Sequence, residues 1–306
     1  MVNVFVGVTD GEWFSFLAAR GSTEGINFWQ PGGQTQFKAL KLGELFLFKL
    51  HSPNNFIVGG GIFARASILP VSMVWEAFGE GNGARSLSEM KQRIAKYRRQ
   101  AVDDREDYRI GCRVLEQPFF LPRERWIPVP ESWAPNIVVG KNFDTSTADG
   151  RYIWDALGDS LNGLAASSQA TEVLRYGDPR LVRPRLGQGA FRVAVTDTYE
   201  RRCAVSQERT LPILDAAHIQ GYASGGSHEV TNGLLLRTDI HKLFDLGYVT
   251  ISPDARFEVS RRLKEDFQNG RHYYALHGQE IWQPPDVHAR PSQEALAWHR
   301  ESKFLG

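Results

Sequence analysis

Apolar residues alternate with others from Val2 to Val8. Val2, Val4, Val6 and Val8 fall on one side, and Asn3, Phe5 and Gly7 on the other, so the period of two predicts a buried strand. The period then changes. Trp13, Phe16 and Leu17 recur at helical spacing behind Thr9 or Asp10 as a cap, which predicts a short helix as far as Arg20. Residues 37–40, 44–50 and 56–66 read as further strands, the last two joined by the turn-rich His51–Asn55. Glycines 59–61 inside the third run predict a bulge or a close approach by another chain segment. Ser86 and Glu89 form a capping box before a helix whose inward stripe is Leu87, Met90, Ile94 and Tyr97. Trp75 is expected in the core, and strands resume at 108–115 and 126–129.

The second half is patterned differently. Residues 155–186 begin with small polar residues and end in a Pro/Arg/Gly stretch, the composition of a linker. Phe191, Val195 and Tyr199 mark one helix face, and 211–219 is an extended apolar run that carries His218 near its end. GYASGGSHE cannot continue a strand or a helix, so His218 sits where the strand runs out. Asn232 precedes a second apolar run. Thr238 then caps a helix with Ile240, Leu243 and Phe244 inward, and His241 and Asp245 lie one turn apart on a neighbouring face. Two side chains so placed can grip one metal ion. A hairpin around PDAR (248–251 with 257–259) and a tail helix within 292–304 complete the chain.

Composition narrows the class. The 306 residues are 42% hydrophobic and 23% charged, ordinary for a globular protein and long enough for two domains. No basic leader and no spanning-length apolar run are evident, which makes the expected compartment the cytoplasm and a membrane partner unexpected. Cys112 and Cys203 are too few for a disulfide framework or a four-thiolate zinc site. A net charge of +1 leaves any nucleic-acid surface to local clusters. Arg183, Arg185, Arg192, Arg201 and Arg202 form one; Lys91 and Arg98, on the 86–99 helix, are further candidates for phosphate contact. His272, His277, His288 and His299 lack ligand-like spacing.

The order His218, Asn232, His241, with the phrases AAHI, NGLLL and HKLFDLGYVTIS, resembles the HNH nucleases and their ββα-metal finger. The resemblance implies that His218 is the general base that deprotonates the attacking water, that Asn232 holds the histidine-bearing loop, and that His241 binds a divalent metal with Asp245. Many members carry Asp or His just before the base. Ala217 stands there in this chain, so Asp215, two residues earlier on the same strand face, is the expected replacement ligand. Mg2+ is the expected ion, with Mn2+ and others open. The N-terminal run, with its aromatic loop and the KLGELFLFKL and FIVGGG segments, resembles the PUA-like barrels, among them domains that flip a modified base into an aromatic pocket. Phe28, Trp29, His51, Ser52 and Asn55 are the residues expected around such a pocket.

The resulting expectation is an α+β chain. A PUA-like β-barrel with flanking helices occupies residues 1–154, a linker 155–186, and an HNH nuclease domain 187–306. The expected activity is hydrolysis of double-stranded DNA carrying modified cytosine, with a homodimer left open. An HNH nuclease acting on unmodified DNA or RNA, and a binding module without catalysis, are the alternatives.

Overall fold

The structure, a computed structural model, describes residues 2–21, 25–99, 103, 105–161, 181 and 186–306. The chain divides into two compact units, Met1–Ala190 and Phe191–Gly306. No helix among the described residues is long and apolar enough to cross a membrane.

In the first unit β1 (Asn3–Thr9) leads into α1 (Gly11–Arg20), followed by β2 (Ile26–Asn27), β3 (Leu45–Leu50) and β4 (Phe56–Pro70). Next come α2 (Val71–Phe78), α3 (Leu87–Arg98), β5 (Arg109–Phe120), β6 (Ile127–Pro128), β7 (Gly140–Asp144) and α4 (Ala148–Leu161). The strands form one sheet in the order β2-β5-β4-β3-β1-β7, with β6 on β4. Among the described residues only β1 and β3 run parallel, a pairing that needs a crossover, and α1 lies in that connection. Strands β2 and β7 end the path. No ladder joins them and no closed barrel forms among the described residues; the unit is a mixed, sheet-rich α+β fold.

The glycine run in β4 does what its composition predicts. A Cβ on Gly60 would lie 2.6 Å from Leu47 Cδ2 and 2.7 Å from the Phe46 carbonyl, and the β4–β5 register shifts between Gly60 and Ile62. Val4, Val6, Leu45 and Leu47 share a core cluster with Ile153, Trp154, Leu157 and Leu161. Helix α4 thus packs on this sheet along its whole length.

Three local expectations change. Residues 37–40 form no strand; the Phe37 ring packs edge-on to Phe5 at 4.9 Å, so its side chain joins the core while its backbone has no ladder partner. Helix α1 buries Trp13, Phe14 and Leu17, not Phe16, and Asp10 caps it by accepting from the Trp13 amide at 2.6 Å. Tyr97 is exposed rather than core, and its hydroxyl donates to Asp10 at 3.0 Å.

The second unit contains α5 (Gln188–Thr198) from Phe191 onward, then β8 (Leu214–His218), β9 (Gly233–Arg237), α6 (Thr238–Asp245), β10 (Val249–Ile251) and β11 (Phe257–Val259). Helices α7 (Arg262–Phe267), α8 (Arg271–Tyr274) and α9 (Gln293–Ser302) follow. Two antiparallel ribbons, β8–β9 and β10–β11, pack around Phe191, Tyr199, Ile240 and Phe244. Residues 211–213 form a 3-10 turn, which leaves a strand shorter than its apolar run. The cap of α6 is Arg237, one residue before Thr238, and the Arg237 guanidinium holds Asp239 at 2.9 Å.

His299 on α9 is buried against this helix. Its ring stacks on Phe244 at 3.6 Å, its Nε2 donates to the Phe244 carbonyl at 3.1 Å, and its Nδ1 accepts from the Thr250 hydroxyl at 2.8 Å. Burial pushes it down to about 4, so the ring is neutral near pH 7 and serves as a brace for the end of α6.

Candidate active site

The β8–β9 ribbon and α6 place the motif residues by register. His218, the last residue of β8, pairs with Gly233, the first of β9. A side chain at Gly233 would collide with Val195 Cγ2 at 2.5 Å and the Phe191 ring at 3.0 Å, so the strand pair can close on helix α5 only with glycine there. Strand β9 runs directly into α6, which puts His241 in the first turn of the helix and Asp245 at its end.

Asn232 ties the intervening loop together. Its Nδ2 donates to the carbonyls of Gln220 at 2.9 Å and Ser227 at 2.8 Å, and its Oδ1 accepts from the Gln220 amide at 2.9 Å. Its own carbonyl accepts from the Ile219 amide at 2.9 Å. Both ends of the loop are thus held by one buried side chain. The closure is tight enough that a Cβ on Gly226 would lie 1.8 Å from the Gln220 carbonyl oxygen.

His218 is fixed on both faces of its chemistry. The ring stacks on Phe191 at 3.9 Å and 11°, and Nε2 lies 2.9 Å from His228 Nδ1. His228 is itself stacked on Tyr222 at 5.2 Å. Burial, then the proximity of His228 and His241, push His218 down to about 4. His228 escaped the sequence reading because it lies in a loop whose composition signals only turns. Its place between His218 and Asn232 was the available hint.

His241 stands between two carboxylates. Asp215 Oδ2 is 3.5 Å from its Nδ1, and Asp245 Oδ2 is 3.5 Å from its Nε2. Asp215 also faces Arg192 Nη2 at 3.9 Å, and its carboxyl is held below the usual range, first by the hydrogen bond from His241. A neutral imidazole has one free lone pair, so the two carboxylates at opposite nitrogens cannot both join His241 around one ion in this arrangement. Consistently, no group of three His, Cys, Asp or Glu able to hold a metal is gathered among the described residues. One imidazole and one carboxylate, partly exposed, nonetheless suit a hard divalent cation whose other positions are filled by water and phosphate.

The basic side chains expected to meet phosphate have other partners. Lys91 is buried and donates to the Glu106 carbonyl at 2.9 Å. Arg98 donates to the carbonyls of Pro31 and Arg109, and lies over the Tyr108 ring at 4.1 Å. Arg202 pairs with Glu200 at 2.7 Å and covers Trp282 at 4.6 Å, and Arg201 lies 3.7 Å from Asp197. Arg183 and Arg185 lie outside the described residues.

The first unit contains a cavity of about 570 Å³ lined by Trp13, Phe28, Trp29, His51, Tyr97 and Arg113, among others. Phe28, Trp29 and His51 are thus brought together in its lining. Ser52 and Asn55 are not in its lining; they are exposed on the β3–β4 turn, where Asn55 accepts from the buried Lys49 at 2.6 Å. Trp29 is anchored by its Nε1, which donates to the Asn82 carbonyl at 2.9 Å, and the His51 ring lies parallel to Tyr97 at 6.4 Å.

Residues 203–252, which hold every group of the His218–His241 cluster except Phe191 and Arg192, match the family model described as HNH endonuclease. This part of the chain is an HNH endonuclease domain. Among solved structures, the chain is similar to an ASCH protein from Zymomonas mobilis, at 10% identity and a TM-score of 0.34 over 50% of this chain and 94% of that one. It is also similar to the modification-dependent TagI restriction endonuclease, at 13% identity and a TM-score of 0.30 over 93% of this chain and 77% of that one. No curated protein matches the chain.

Proposed function

We propose that this protein is a divalent-metal-dependent endonuclease that cuts double-stranded DNA carrying a modified cytosine. The observation that carries the nuclease chemistry is that His218, which enters the loop locked by Asn232, lies near the His241 and Asp245 pair of α6. The aromatic cavity in the first unit supports the reading of a base, since an extruded base needs stacking partners and polar groups for its edge.

Phosphodiester hydrolysis requires a base for water and positive charge for the phosphate. In the tautomer in which His218 Nε2 donates to His228 Nδ1, His218 Nδ1 keeps its lone pair and can take the proton from water. A phosphate anion beside the ring favours its protonated form and so raises its basicity when substrate is bound. His241 Nδ1 donates toward Asp215, which leaves Nε2 free on the side of Asp245. His241 and Asp245 would then hold the cation, with Asp215 as the carboxylate that orients the ring rather than the third ligand expected from the sequence. When bound, Mg2+ or Mn2+ supplies the charge that offsets the phosphate and the leaving oxygen. A site of this kind cuts one strand, so a double-strand break calls for a second copy.

Cleavage of a supercoiled plasmid that carries the modified base is the test of metal dependence. Nicking is expected with Mg2+ or Mn2+, to stop with a chelator, and to return when the ion is restored. Asp245→Ala is expected to raise the metal concentration needed by roughly tenfold or more. Undiminished cutting in chelator would overturn the cation site.

His228→Ala separates orientation from chemistry. His218 takes its proton only as pH falls toward about 4, so the acid limb of the rate profile belonging to it lies well below pH 6.5. Removing His228 removes a cause of that lowering, so the limb should move up in pH while the rate falls at least about tenfold from loss of the orienting acceptor. An unmoved limb at an unchanged rate would show that His228 does nothing for the base.

A further inference from the structure

Among the described residues, Arg113 is a buried cation without a counter-ion. It is 4% exposed, and its Nη2 donates to Gln30 Oε1 at 2.5 Å. Its Nε is buried with no hydrogen-bond partner, and no carboxylate pairs with it among the described residues. The guanidinium sits among the rings of Phe5, Phe28, Phe37 and Phe46 at 4.6 to 5.8 Å, which offset part of its desolvation but accept no conventional hydrogen bond. Leaving a buried charge and an N–H unsatisfied is costly, and a fold keeps such a group where something else completes it.

The same residue lines the aromatic cavity. Among the described residues Asp10 is the acidic residue of that lining, and its carboxylate is already taken by the Trp13 amide and the Tyr97 hydroxyl at 2.6 and 3.0 Å. Arg99 adds a second positive charge at the wall. Because Gln30 Oε1 faces Arg113, the Gln30 amide nitrogen is a second donor in the lining. The cavity is therefore walled by aromatics, cationic, and rich in donors. At about 570 Å³ it falls in the range of sites that enclose a whole drug-sized ligand, so space remains beyond a pyrimidine ring.

We propose that Arg113 sets the selectivity of this cavity, and that its preferred occupant is an extruded pyrimidine bearing a carboxylate at C5, paired with the Arg113 guanidinium. This rests on the reading that the cavity takes a base from DNA. A carboxylate supplies both the missing acceptor and the missing negative charge, which a methyl group cannot. The aromatic side chains supply the stacking any pyrimidine would use, so the substituent is read by the arginine.

The test is binding of the full-length protein, in chelator so that no cutting occurs, to fluorescent duplexes containing one cytosine, 5-methylcytosine or 5-carboxylcytosine. The carboxylated duplex is expected to bind tightest. Arg113→Met should weaken it by roughly tenfold to a hundredfold and leave the methylated duplex little changed. Arg113→Lys, which keeps the charge, should retain part of the preference. Because Arg113 is packed in the core, competition by free 5-carboxylcytidine against 5-methylcytidine on the wild-type protein decides the matter if the variants do not fold. Preference for the methylated duplex over both others would overturn the arginine's role and keep the base-reading cavity. Equal binding of all three would overturn both.

Discussion

Replacing His218 by alanine is expected to reduce cleavage by about 10²- to 10⁴-fold, the usual contribution of a positioned general base, while DNA binding persists. The ring is the group in the cluster left to take the proton, since its Nδ1 lone pair is free when Nε2 faces His228, while on this reading the free Nε2 of His241 is given to the cation. His218 lies at a strand end rather than in the core, so the variant should fold. Single-turnover cleavage beside a binding titration checks this. A variant that cuts within a few-fold of wild type would move the base to another residue.

Asn232→Ala is expected to act through the fold. The side chain satisfies the carbonyls of Gln220 and Ser227 and the amide of Gln220, and its removal leaves those groups without partners at a buried position. A loss of about 2–4 kcal/mol in unfolding free energy follows, because each buried unsatisfied group costs about 1–3 kcal/mol and the losses overlap. Cleavage should fall as well, since the loop that carries His228 is released. Asn232→Asp should destabilise comparably, as a carboxylate cannot donate to two carbonyls. Denaturant melts are the measurement, and a wild-type melt for either variant would show that the loop is held by something else.

The grouping of His218, Asn232, His241 and Asp245 was legible because these residues lie on consecutive elements. A strand ending in His218, an asparagine before an apolar run, and a helix with His241 and Asp245 one turn apart are local patterns, and the β8–β9 register joins them directly. His228 was not legible, because its contact with His218 depends on how a loop held by Asn232 folds back. The cavity shows the same limit at longer range. Phe28 and Trp29 could be placed from their aromatic loop, but Arg113 reaches the cavity from β5, which pairs with β2 across many intervening residues. A strand arginine reads as solvent-facing until its neighbours are known. The opposite error affected Lys91 and Arg98, whose helix face read as a charged surface while the side chains turn in to satisfy backbone carbonyls. Helical periodicity locates a face; it does not say which loop will cover it.

The most direct measurement is digestion of matched duplexes that differ only in cytosine, 5-methylcytosine, 5-hydroxymethylcytosine or 5-carboxylcytosine, with Mg2+ or Mn2+, beside the His218→Ala variant. Cleavage confined to one or more modified duplexes, and lost in the variant, is the result predicted. Equal cleavage of the unmodified duplex would contradict the modification-dependent reading, and cleavage of none with either metal would contradict the nuclease itself.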